Sequence, residues 1–257
     1  MLVVALGLLA RPVELGAWPR PAYRNMVFDT LRLMPPSLGR VLGRNREYLV
    51  RGVYRLEGDM ASHLARDGLK GTVSPETTRR VERRIARAVD MVNRHRPFRE
   101  VAFELGKLLR IAADLADPTI VGAGRIGPAG VSAEFHRFVL LHLDEIPLVY
   151  DDALPSTLEG QSVSLLLRRL TAATGASVVR LAEAFWKDGR LVPATAFDFR
   201  SVPYAEASLG YSRGVTAASY LWLDAWSKAN GDFTGYRFFK EKPKPSDALG
   251  AESKQRP

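Results

Sequence analysis

Apolar residues recur along this chain at the three- and four-residue spacing of a helix, and no stretch shows the strict alternation of a strand. The first helix is expected from Tyr23 to Leu33, stopped by Pro35 and Pro36. Pro36 can open the next, where a missing N–H costs nothing, and Leu38, Val41, Leu42, Leu49 and Val53 fall on one side of it. Ser74-Pro75-Glu76-Thr77 reads as a helix start, followed by a stripe of Val81, Ile85, Ala88, Val89 and Val92. Pro97 opens another helix with Val101, Leu105, Leu108, Ala112 and Leu115 facing inward, and Pro118 closes it. Residues 122–130 are rich in glycine and form a loop. Further helices are expected over Val131–Ile146, over Gln161–Lys187 with a candidate kink at Gly175, and over Tyr204–Ala229, with 189–203 irregular. The pattern predicts an all-α bundle of about seven helices, one domain over residues 18–235, and a polar, proline-rich disordered tail over 236–257.

The first seventeen residues break this pattern. Residues 2–10 are an unbroken apolar run, far shorter than the ~20 residues a spanning helix needs. Such a run fits the core of a secretory signal, with Gly16-Ala17 as small residues before a cleavage point at Trp18. The expectation is a signal peptide over 1–17 and a secreted or periplasmic product. The absence of Lys or Arg before the run, and the large Leu15, favour the other reading, a buried N-terminal helix.

Composition narrows the chemistry. There is no cysteine, which excludes disulfides, cysteine metal sites and thiol nucleophiles. Lys and Arg exceed Asp and Glu by nine, and the pI is about 10.0, a balance suited to an anionic phosphate-bearing ligand or a membrane surface. Part of that excess sits on one helix, where Arg79, Arg83 and Arg87 form a candidate anion-binding face; the alternative is an ordinary solvated face. Neither a phosphate-binding P-loop, nor an HExxH pair, nor a GxSxG elbow is present.

Several segments, in order, resemble the zinc-dependent phospholipase C superfamily, which includes secreted single-strand nucleases. Trp18 stands where the family's mature chain begins with a metal-binding tryptophan. Pro35-Pro36, Gly52 and Glu57 match its second-helix region, and His63 the following metal histidine. Asp114-Leu115 and Pro118 match the motif H-x-x-x-D-L-H-Q-P-L-H, and Gly130, Val131 and Phe135 match G-V-H-x-x-F-E. The aromatic helix over residues 209–229 resembles the family's last one. The resemblance covers about residues 18–230 and implies an all-helical fold around a zinc cluster that cleaves phosphodiesters of phospholipid or nucleotide.

The departures fall on the ligands. Tyr23, Arg110, Ile120 and Ser132 stand where the family has histidines, and His136 stands where it has a carboxylate. What remains as a candidate metal set is Trp18, Glu57, His63, Asp114 and His136, enough for at most one zinc ion, and no cofactor at all is the leading expectation. Arg110 cannot give up its proton and would stand as a fixed cation beside any metal. The resemblance thus implies that the Arg110 guanidinium takes the place of zinc, pairing with Asp114 and Glu57. Two functions stay open: an exported binding or scaffold protein that has lost the ancestral chemistry, or a divergent phosphodiester hydrolase with Asp114 as base and Arg110 as electrostatic clamp.

Overall fold

The computed structural model describes residues 18–55, 73–122, 126–127, 130–149, 154 and 162–236. The expected signal segment, Glu57, His63 and the tail beyond Tyr236 lie outside the described residues. The described chain is all-α apart from one two-residue-stranded hairpin. Its helices are α1 (Arg20–Arg32), α2 (Pro36–Arg44), α3 (Arg46–Tyr54), α4 (Pro75–Asn93), α5 (Phe98–Leu115), α6 (Pro118–Val121), α7 (Val131–Leu141), α8 (Val163–Phe185) and α9 (Val202–Lys228).

Local chemistry sets most of the boundaries. At α4 the Ser74 hydroxyl accepts the Thr77 N–H at 3.1 Å, which satisfies one of the orphan donors of the first turn. Its expected stripe is buried at Val81, Ile85 and Ala88. The single helix expected beyond Pro36 is broken in two at Asn45, whose side-chain amide donates back to the Val41 carbonyl at 2.9 Å. Across the break Leu38, Leu42, Leu49 and Val53 still reach the core, while Val41 is half-buried. Pro118 does not simply end a helix. Asp117 caps the short α6 behind it by accepting the Thr119 N–H at 2.7 Å. α7 stops at Leu141, five residues before the expected end, and His142 pairs with Glu145 in the turn that follows. The expected end of α8 is instead strand β1 (Trp186–Lys187), paired antiparallel with β2 (Arg190–Leu191). Asp188-Gly189 makes the turn at φ of 50° and 74°.

The core is one continuous apolar cluster with α5 through its middle. α5 is buried at nearly every position from Val101 to Leu115, and the long α9 lies against it. Trp222 of α9 fixes that pair by donating its indole N–H to the Leu105 carbonyl at 2.8 Å. On the other side α3 crosses α5 at Gly52 and Gly106. A Cβ at Gly52 would stand 2.1 Å from the Phe103 carbonyl oxygen, and one at Gly106 the same distance from that of Leu49. Backbone therefore touches backbone there, and only glycine fits on either side.

Candidate functional site

One end of α5 carries a cluster of polar groups buried in this apolar surround. Helical spacing puts Arg110 and Asp114 on the same face, one turn apart. The Arg110 Nε donates to Asp114 Oδ2 at 2.9 Å, and only 14% of the arginine side chain and 4% of the aspartate side chain meet solvent. α1 supplies the third member, since the Tyr23 hydroxyl donates to Asp114 Oδ1 at 2.5 Å. The Tyr23 ring also lies under the guanidinium, 4.4 Å from ring centroid to Cζ. Trp18 closes the end of the site. Its indole N–H donates to the Ala113 carbonyl at 2.9 Å, and its ring packs against Phe135 and Tyr211.

A second pair adjoins the first. Asp117, fully buried, accepts the Thr119 N–H through Oδ1, while its Oδ2 lies 3.0 Å from His136 Nε2. The same ring nitrogen is 3.1 Å from the Thr119 hydroxyl. The structure thus brings together Trp18, Arg110, Asp114 and His136 among the residues singled out above. Asp117 and Thr119 were not anticipated, and Tyr23 was expected only as a lost ligand. The aspartate before Pro118 is a helix-cap signal that could have marked Asp117. Nothing local marks Tyr23 as a partner of Asp114, because that contact joins helices 91 residues apart in the chain.

The electrostatics follow from burial. Desolvation raises the Tyr23 hydroxyl well above the usual tyrosine range, and the neighbouring Asp114 charge raises it further, so Tyr23 is a proton donor throughout the neutral range. Burial works against the Arg110 cation, but Asp114 and Tyr23 more than offset it, and the guanidinium is a stronger base than usual. Burial also pushes Asp114 above the ordinary aspartate range, with Arg110 and the Tyr23 hydrogen bond acting in the other direction. The arrangement holds a buried charge with one donor on each carboxylate oxygen.

The described members of the expected zinc set are engaged with other partners. Both Asp114 oxygens are taken by hydrogen donors, His136 Nε2 faces Asp117 and Thr119, and a permanent cation stands at Arg110. Among the described residues no group of three or more His, Cys, Asp or Glu side chains is arranged to hold a metal ion. Glu57 and His63 lie outside the described residues. On α4, Arg79 and Arg83 are exposed and both pair with Glu76, at 3.4 and 2.6 Å. Arg87 turns instead toward the buried Glu104 of α5, at 3.6 Å. The face expected from the spacing is thereby divided between two carboxylates. No described helix is long and apolar enough to cross a membrane. No known family model, curated protein or solved structure matches this chain.

Proposed function

We propose that this chain is an exported helical protein of the phospholipase C and nuclease kind whose zinc chemistry is lost, and that it serves as a binding protein for anionic, phosphate-bearing ligands. The reading rests on one observation: the carboxylate of Asp114, one of the retained expected ligands, accepts from Tyr23 on one oxygen and from Arg110 on the other. A guanidinium supplies the positive charge that a metal would bring and a planar set of donors in fixed positions. It cannot lower the pKa of a bound water, which is the step that phosphodiester hydrolysis by zinc depends on. The basic balance of the chain supports an anionic ligand.

Metal content and phosphodiesterase activity of the purified protein, with and without added zinc, test this reading. The expected result is zinc far below one ion per chain and no turnover of bis(p-nitrophenyl) phosphate. One zinc per chain with hydrolysis abolished by a chelator would overturn it in favour of a single-metal hydrolase. Sequencing the N-terminus of the protein from its native host tests export: the expected first residue is Trp18, and an intact Met1 on a cytosolic product refutes it.

A further inference from the structure

A groove of about 280 Å³ opens between α3, α4 and α5, nearer the start of α5 than Asp114. Its walls include Tyr48, Arg87, Arg99, Phe103 and Lys107, and Glu104 contributes to its lining. Glu104 is a charged side chain only 3% exposed, and three cations converge on it: Arg84 at 2.8 Å, Lys107 at 3.0 Å and Arg87 at 3.6 Å. The groove's other carboxylate, Glu100, is engaged by Arg96, 2.8 Å away. Burial lowers the Lys107 pKa, and Arg84 and Arg87 lower it further, although Glu104 acts to raise it. One buried carboxylate thus faces three cations, so the cluster around Glu104 carries a net positive charge that an incoming anion would balance.

We propose that this groove binds a phosphate monoester, its head seated among Arg87, Arg99 and Lys107 and its organic part against Tyr48 and Phe103. The proposal deepens the anion-binding reading above by giving it a site and a ligand class. Glu104 lines the groove, but its two oxygens are taken up by the cations. It is acceptor-only and holds Lys107 and Arg84 in place from beneath. A doubly charged phosphate suits guanidinium and ammonium donors on several sides. The two rings already face cations, Phe103 toward Lys107 at 4.6 Å and Tyr48 toward Arg51 at 5.1 Å, and they offer flat apolar walls between charged groups. The volume is at the small end of ligand sites, which suits a head group with a small ring or chain.

Calorimetric titration of the full chain with phenyl phosphate tests the site. Saturable binding is expected, weakened at least about tenfold in Arg87→Ala/Arg99→Ala and again in Lys107→Met. Arg168→Ala/Arg169→Ala, which removes two charges from α8 instead, should bind as the wild type does. Flotation with phosphatidylcholine vesicles containing phosphatidic acid separates the sources. Capture that Arg87→Ala/Arg99→Ala abolishes assigns the phosphate to a lipid head group; phenyl phosphate binding without capture assigns it to a soluble ester. Absence of saturable binding, or equal weakening by the α8 variant, overturns the proposal. Zinc content, read on the same preparations, reports on the loss of catalysis independently of either result.

Discussion

Tyr23 and Arg110 divide one carboxylate between them: the hydroxyl takes Asp114 Oδ1 at 2.5 Å and the guanidinium takes Oδ2 at 2.9 Å. The two donors also stack on each other, so each fixes the other's position over the aspartate. A buried carboxylate is tolerated here because both oxygens are satisfied, one of them by a full opposite charge.

Tyr23→Phe removes one of those donors and changes little else in shape. A hydrogen bond to a buried charged acceptor contributes about 1.5–3 kcal/mol, and a loss of that size is expected in urea unfolding with an unchanged m-value. A variant as stable as the wild type would mean that Asp114 gains nothing from the hydroxyl.

Arg110→Ala is expected to cost about 3–5 kcal/mol, because it strands Asp114 without its cation. Replacing the whole cluster tests the cause. Tyr23→Phe/Arg110→Met/Asp114→Leu removes the stranded carboxylate along with its cation, leaving only Asp117 with its own partners His136 and Thr119, and should recover most of the loss. If the triple variant is no more stable than Arg110→Ala, the deficit comes from packing and not from a stranded charge.

The Arg110–Asp114 pair was legible in the sequence because four-residue spacing on a helix is a local rule, and so were the Ser74 cap and the stripe on α4. What could not be read was set by tertiary contact. The burial of the pair depends on α1 laying Tyr23 over it. The break at Asn45 depends on one side-chain amide choosing the Val41 carbonyl over solvent. Arg87 belongs to α4's basic series by spacing, yet it leaves Arg79 and Arg83 because Glu104 lies buried beneath it on α5. The Asp188-Gly189 turn was a hairpin signal that the strong helical pattern before it concealed.

The contact of Gly52 with Gly106 carries a sharper test than any side chain in α3. With a methyl group 2.1 Å from a carbonyl oxygen on either helix, the two cannot keep their crossing. Gly52→Ala and Gly106→Ala should each destabilise by about 3 kcal/mol or more, although alanine is the better helix former. Gly43→Ala serves as the comparison, since nothing lies within 4 Å of its added Cβ. That variant should be neutral or slightly stabilising in the same melts, and equal losses at all three positions would refute the close approach.

Alkaline pH should unlock two buried tyrosines together. Tyr23 donates to Asp114, and Tyr211 donates to Asp29 Oδ2 at 2.7 Å. Burial is the larger cause of the raised pKa in both, and the carboxylate each one faces adds to it. In the unfolded chain both return to about 10. A folded pKa above the unfolded one means that the native state keeps a proton which the unfolded state gives up. The stability these hydroxyls contribute is therefore complete below about pH 10 and is lost as the pH rises beyond it, by up to about 1.4 kcal/mol per pH unit for each tyrosine. Lysines titrate in the same range, so the measurement is a difference. Urea unfolding of the wild type and of Tyr23→Phe/Tyr211→Phe should run parallel from pH 8 to just below 10, with the wild type the more stable. Above that the curves should converge, because only the wild type has these phenols to lose. Curves that stay parallel through pH 11 would show that neither hydroxyl is held in its neutral form by the fold.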